Sequence, residues 1–126
     1  MEILGFALYS LIFIASGVGH LTKTEAMAGY AAHKGIPSPK LAVQASGIVM
    51  LVGAVALLAD QVKLGTILLG GFCLVAAVTM HAFWKESDAM AKMNEQTAFF
   101  KDLALAGAAI AIYVLHGQIP VGFCLL

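Results

Sequence analysis

Residues 41–80, LAVQASGIVMLVGAVALLADQVKLGTILLGGFCLVAAVTM, decide the fold of this chain. They contain two uncharged runs of nineteen and seventeen residues, Leu41 to Ala59 and Leu64 to Met80, separated by the polar hinge Asp60 to Lys63. Each run approaches the ~20 residues with which a helix crosses ~30 Å of hydrocarbon. Helices are favoured over strands because the runs do not alternate and unpaired backbone cannot remain in lipid. The short hinge then predicts a tight antiparallel pair of membrane-spanning helices.

Two further apolar runs lie on either side of this pair. Ile3 to Gly19 carries no charge, and neither does Leu103 to Leu126, which is broken by His116, Gln118 and Pro120. We expect spans at approximately 3–21, 41–59, 64–84 and 97–117, with the fourth helix beginning near Gln96. Small residues at four-residue spacing let helices approach closely. The prediction is a single all-α domain over residues 1–126, an integral membrane four-helix bundle with up-down topology.

The composition supports a membrane protein and argues against binding of nucleic acid. Apolar residues make up 61% of the chain and charged residues 11%, against roughly 45–50% and about 25% in soluble domains. The net charge is zero, whereas nucleic-acid binding needs a basic surface.

Cys73 and Cys124 are interpreted as packing residues rather than a disulfide or a metal site. The first run follows Glu2 rather than a basic segment, so it is interpreted as a retained helix and not a signal peptide.

Residues 22–40 form a polar connection whose structure stays open at this point. Thr24 could be the N-cap of a short helix, and Gly35, Pro37 and Pro39 would end it. This helix could lie at the membrane interface or fold back as a lid over the bundle.

The lysines predict the orientation in the membrane. Six of the seven follow spans one and three, namely Lys23, Lys34, Lys40, Lys85, Lys92 and Lys101. The positive-inside rule therefore puts the loops that follow spans one and three, loop 1 (residues 22–40) and loop 3 (residues 85–96), in the cytoplasm.

An up-down bundle brings the polar ends of its helices together at one membrane face. The candidate ligand-binding residues there are His20, Ser46, His81, Trp84, Lys101 and Asp102, with Gln44 nearby. Of these, His81 and Asp102 are the candidates for proton transfer, because histidine exchanges protons near neutral pH and buried acids are costly. Each residue also has a structural interpretation: Trp84 as an interfacial anchor, Ser46 and Gln44 as interhelical hydrogen-bonding groups, and the histidines as paired core residues.

Asp102 is ranked above the other acids of the charged segment, Glu86, Asp88 and Glu95, which are interpreted as a solvated loop. Glu95 lies seven residues before Asp102 and so on a similar helix face, and either acid could pair with His81. Lys101 and Asp102 are adjacent and point about 100° apart on a helix, so we expect no pairing between them. Two histidines without a third ligand at characteristic spacing do not predict a metal site.

Four segments in order resemble the DoxX family of small four-helix membrane proteins. They are FIASGVGHL, KGIPSPKLAVQASG, HAFW and FFKDLALAG, at the ends and starts of the expected spans. The resemblance implies a link to membrane quinol or thiosulfate:quinone oxidoreductases, from one of whose subunits the family takes its name. It also leads us to expect a multi-pass protein of the bacterial inner membrane. Relatives often carry arginine near span one, and this chain has none.

Three functions remain open from the sequence. The first is a redox-linked subunit that binds a quinone or similar lipid-soluble molecule at the end that carries His20 and His81. The chain contains no obvious redox centre, so this function needs a protein partner. The second is a non-catalytic assembly protein that recruits a partner, and the third is a small-molecule carrier that acts as a homo-oligomer.

Overall fold

A computed structural model describes residues 2–117 of the chain as an entirely helical structure. The helices are α1 (Glu2–Thr22), α2 (Thr24–His33), α3 (Pro39–Leu58), α4 (Val62–Thr79) and α5 (Ala89–His116), with a short 3₁₀ turn at Phe83–Lys85 between the last two. Within the described residues there are no strands. The all-α fold class is therefore confirmed, and Cys124 lies outside the described residues.

Four of the helices are long and apolar enough to cross a membrane: α1, α3, α4 together with the 3₁₀ turn, and α5. At a rise of 1.5 Å per residue, the 20 residues of α3 extend about 30 Å, which matches the hydrocarbon thickness. Many large side chains on the outside of the bundle are exposed, including Ile48, Val55, Ile67 and Ile110. The bilayer is the environment that covers such a surface.

Glycine sets the crossing of α1 with α3 and of α3 with α4. A Cβ on Gly17 would lie 3.0 Å from the carbonyl oxygen of Gly47. A Cβ on Gly65 would lie 2.9 Å from the carbonyl oxygen of Gly53. These helices thus approach backbone to backbone, as small residues allow in membrane bundles.

The helices α4 and α5 are also closely packed, through Gly70 and Ala109. A Cβ on Gly70 would lie 3.0 Å from the Cβ of Ala109. Consecutive spanning helices therefore contact each other along the series α1, α3, α4, α5, which is consistent with the expected up-down bundle.

The two end members of that series, α1 and α5, meet only toward the end where α1 begins. There the Tyr9 hydroxyl donates to the carbonyl oxygen of Leu105 at 2.9 Å, and the rings of Phe6 and His116 lie 6.4 Å apart. Within residues 2–117, α1 and α5 are not closely packed along the rest of their lengths. The bundle is consequently looser between these two helices toward loops 1 and 3.

The short helix expected between spans one and two is present as α2, which packs mainly on α3. The expectation that Thr24 caps it is wrong. Lys23 is the cap residue, and the Thr24 hydroxyl instead donates backward to the carbonyl oxygen of His20 at 2.7 Å. After α2, Gly35 has a φ of 81°, a left-handed conformation that glycine adopts without strain, and the chain turns into α3.

The helix α5 begins at Ala89, seven residues before the expected start at Gln96. Its cap is Asp88, whose carboxylate accepts a hydrogen bond from the backbone N–H of Ala91 at 2.8 Å. An N-cap aspartate satisfies one of the free N–H groups of the first turn. The segment interpreted as a solvated loop is therefore mostly helix. Glu95 lies within α5 and not in a loop before it.

Candidate functional site

A cavity of about 450 Å³ lies inside the bundle at the end where loops 1 and 3 meet. Its polar residues are His20, Ser16, Ser46, Thr79, His81, Lys101 and Asp102. Its apolar residues include Phe13, Met50, Phe72 and Leu105, and α2 contributes Met27, Tyr30 and Ala31. The cavity therefore extends from a polar end near the membrane surface into the apolar middle of the bundle.

His20 is positioned by α3. Its Nδ1 lies 2.8 Å from the Ser46 hydroxyl oxygen and 3.3 Å from the carbonyl oxygen of Val43. The Ser46 hydroxyl donates to the same carbonyl oxygen at 2.8 Å. Since that hydroxyl has a single proton, Nδ1–H of His20 is the donor to Ser46, and Nε2 is left as an acceptor. The structure thus brings together two of the predicted site residues.

Replacing Ser46 with alanine tests how much this pair contributes. We expect Ser46→Ala to lower the free energy of unfolding by about 1 kcal/mol, the net contribution of one hydrogen bond. His20 keeps the Val43 carbonyl as a partner, so a larger loss is not expected. Denaturant titration in detergent micelles measures the change, and Ala45→Ser, on the exposed side of the same helix, is the matched control. A loss as large for the control would contradict a specific role for the pair.

His81 lies between two carboxylates of α5. Its Nδ1 is 2.7 Å from Oε2 of Glu95, and its Nε2 is 3.7 Å from Oδ2 of Asp102. The second distance is longer than a hydrogen bond, so Nε2 of His81 is not hydrogen-bonded to Asp102. His81 and Asp102 both line the cavity, and each of the two acids lies beside His81, as the sequence allowed.

Lys101 and Asp102 do pair, contrary to the expectation. The Lys101 Nζ lies 3.4 Å from Oδ1 of Asp102. The two side chains leave the helix about 100° apart, but the long lysine side chain is flexible enough to reach back. Lys101 is half exposed while Asp102 is only 4% exposed, so the cation partly neutralises a carboxylate at the cavity wall.

Glu95, which the sequence interpretation ranked below Asp102 and placed in a solvated loop, is buried and well connected. It is 9% exposed and accepts hydrogen bonds from Tyr30 and His81. Lys34 lies 3.0 Å from its Oε1 and 2.5 Å from Oε1 of Glu86. The seven-residue spacing to Asp102 was the available signal, because it puts both acids on the inner face of one helix.

Two pKa values describe the charge state of this cluster on the α2 side. Burial raises the pKa of Tyr30 to about 12, and the hydrogen bond to Glu95 adds to that effect. Burial alone would lower the pKa of Lys34, but the hydrogen bonds to Glu86 and Glu95 outweigh it and raise the pKa above its ordinary value. Tyr30 therefore stays a neutral donor, and Lys34 stays a cation that holds α2 against α5.

Trp84 does not line the cavity, although it was one of the predicted binding residues. It lies in the 3₁₀ turn, is 53% exposed, and packs edge-on against Phe83 at 5.3 Å and Phe99 at 5.6 Å. This aromatic group, which also includes Phe100, fixes the turn to α5. Its position at a helix end suits an aromatic side chain at the membrane interface.

Among residues 2–117, no group of three His, Cys, Asp or Glu side chains is arranged to hold a metal ion. Gln44 is exposed on α3 and takes no part in the cavity. His20, Ser46, His81, Lys101 and Asp102 are thus the predicted residues that the structure brings together around one space.

Four apolar spanning helices and an internal cavity define a small integral membrane protein of the helical-bundle class. The sequence profile of the DoxX family matches residues 7–82, and the chain belongs to this family. The matched region covers most of α1 and all of α2, α3 and α4, and so includes His20, Ser46 and His81. No curated protein and no solved structure matches the chain.

Proposed function

We propose that this DoxX-family protein is a redox-linked membrane subunit that binds a quinone or a similar lipid-soluble molecule in the cavity. The observation that carries the proposal is the division of the cavity into a polar end and an apolar end. A quinone has the matching division between a ring that accepts hydrogen bonds and an isoprenoid tail. Ligand sites in proteins are mostly apolar with a few placed polar groups.

The polar end offers groups that suit the ring of such a ligand. His81 and Asp102 both line the cavity, and Nε2 of His81 lies 3.7 Å from Oδ2 of Asp102, so this pair could exchange protons with a quinol hydroxyl. His20 and Lys101 add further polar groups to the wall of the same space. The volume of about 450 Å³ falls within the range of small-molecule sites and suits a ring with a short part of its tail.

The loose contact between α1 and α5 supports access from the bilayer. Tyr9 and Leu105 hold the two helices together at one level, and His20 lies eleven residues further along α1, or about 16 Å. Both helices line the cavity over this stretch, through Phe13 on α1 and Asp102 on α5. A tail could therefore lie between these helices while the ring occupies the polar end.

The electrons would come from outside this chain, so the proposal includes a protein partner that carries a redox centre. We also propose that the protein lies in the bacterial inner membrane with loops 1 and 3 on the cytoplasmic side, as the lysine distribution favours. In that orientation the polar end of the cavity faces the cytoplasm.

Thermal unfolding with a short-chain ubiquinone tests the binding of a ligand. At a concentration 100 times the Kd, we expect the ligand to stabilise the protein by about 2.7 kcal/mol. His81→Phe keeps a planar ring and removes both nitrogens, so it should lose most of this stabilisation. The control ligand is an alcohol with the same tail and no quinone ring. Equal stabilisation by the control would mean that the cavity takes any lipid and does not recognise a quinone.

The alternative is an assembly protein without catalysis, and one observation favours it. Lys85, Asp88 and Lys92 are exposed around the start of α5 and form a charged surface beside loop 3. If no quinone stabilises the protein and these lysines cross-link to a soluble protein of the same cell, this alternative replaces the first. A carrier function would instead appear as ligand flux across vesicles that contain the protein as an oligomer.

A further inference from the structure

We infer that Glu95 is the outer member of a proton path that connects the cavity, through His81, with water at loops 1 and 3. The inference rests on the proposed function, because it needs a cavity ligand with an exchangeable hydroxyl proton. Glu95 does not line the cavity, so its part is to accept and release a proton behind His81 and not to contact the ligand.

The geometry of His81 carries the inference. Its two ring nitrogens have different neighbours: Nε2 lies 3.7 Å from Asp102, a residue of the cavity wall, and Nδ1 lies 2.7 Å from Glu95. A carboxylate accepts hydrogen bonds, so Nδ1 carries the proton in this contact and Nε2 can accept one. The imidazole therefore connects the cavity to a carboxylate outside it.

Glu95 is well placed to pass the proton on. It lies seven residues before Asp102 on α5, about 10 Å closer to the start of the helix. There it meets Tyr30, a hydroxyl group, and Lys34, which also binds the more exposed Glu86. The path thus has one end at a buried cavity wall and the other beside partly exposed polar groups of the loops.

The proton transfer from the ligand to Glu95 involves no change of oxidation state. The O–H bond of the ligand breaks as an N–H bond forms at Nε2, and the Nδ1–H bond breaks as an O–H bond forms at Glu95. Glu95 then releases this proton to water. The ligand is left as an oxyanion, and reprotonation from water runs the same steps in reverse, so His81 returns to its first tautomer. The charged and titratable groups around the path are Asp102, Lys101, Lys34, Tyr30, Glu86 and, on α4, Cys73.

The kinetic test uses the full chain in lipid nanodiscs with a hydroxynaphthoquinone as the probe, because its hydroxyl changes colour on ionisation. After a rapid change of bulk pH, we expect the colour of the bound probe to follow quickly in the wild type. Glu95→Gln should slow this response by about a hundredfold, at the low end of the ~10²–10⁴-fold range of general acid–base effects, with little change in probe affinity. Glu95→Asp should restore part of the rate, and so should added formate, a small diffusible acid.

The matched control is Glu86→Gln, which removes a carboxylate from the same Lys34 cluster but not from His81. Its rate should stay near that of the wild type. If Glu86→Gln slows the response as much as Glu95→Gln, or if Glu95→Gln leaves the rate unchanged, the path is overturned. Either result leaves the binding of the quinone in place.

A second measurement needs no ligand. ¹⁵N NMR of the histidine rings, assigned with His81→Phe, should show a protonated and strongly hydrogen-bonded Nδ1 in the wild type. An unprotonated Nδ1 overturns the path whether or not the probe binds. A protonated Nδ1 in a protein that binds no hydroxynaphthoquinone supports the His81–Glu95 link and counts against the quinone-binding function.

Discussion

Lys34→Met should destabilise the protein by about 3 kcal/mol, because it leaves the buried carboxylate of Glu95 and the partly exposed one of Glu86 without their cation. The Lys34 side chain is 10% exposed and pairs with Glu86 and Glu95, whose side chains are 23% and 11% exposed. Methionine keeps the length and most of the apolar stem, so the loss reports on the charge. Denaturant titration in micelles measures it, and faster proteolysis of the 22–40 segment should accompany it because α2 loses its attachment to α5.

Two variants separate the cost of the unpaired charge from other effects. Lys34→Met combined with Glu95→Gln should recover part of the loss, since the uncompensated carboxylate is gone. Lys40→Met removes the cation of the exposed pair with Glu25 and should cost less than about 1 kcal/mol. Equal losses for Lys34→Met and Lys40→Met would mean that the cluster around Glu95 is solvated and does not hold α2.

Much of the fold was predictable because a bilayer imposes strong constraints on sequence. Uncharged runs such as Leu41 to Ala59 allow few structures other than helices, and the short hinge after it leaves only an antiparallel neighbour. The start of α5 was not predictable in the same way. Residues 89–96 mix polar and apolar side chains. They are helical after the Asp88 cap, and they contact α2 through Glu95, which no local pattern contains.

The candidate site was predictable as a group of residues but not as a network. The ends of the apolar runs indicated His20, His81 and Asp102, since polar groups there must be paired or functional. The role of Glu95 depends on Lys34, which is sixty-one residues away in sequence and reaches it only because α2 folds over the end of the bundle. Trp84 does not line the cavity; it packs instead against Phe83 and Phe99.

Gly65→Ala should separate α3 from α4 and lower the free energy of unfolding by about 2 kcal/mol. The added Cβ would lie 2.8 Å from the backbone nitrogen of Leu57 and 2.9 Å from the carbonyl oxygen of Gly53. Backbone atoms cannot move aside as a flexible side chain can, so the cost falls toward the upper part of the ~1–3 kcal/mol range for overpacking. The higher helix propensity of alanine, up to about 1 kcal/mol, offsets part of it.

Gly71→Ala is the control that isolates the contact. It lies on the same helix and gains the same propensity, but its Cβ would meet nothing within 4 Å, so it should be neutral or slightly stabilising. Unfolding of both variants by denaturant in micelles gives the comparison. Both α3 and α4 line the cavity, so Gly65→Ala should also weaken ubiquinone-dependent stabilisation while Gly71→Ala keeps it. Equal stability of the two variants would show that α3 and α4 can move apart at no cost. The hairpin of residues 41–80 would then not be a rigid frame that positions His20 and His81.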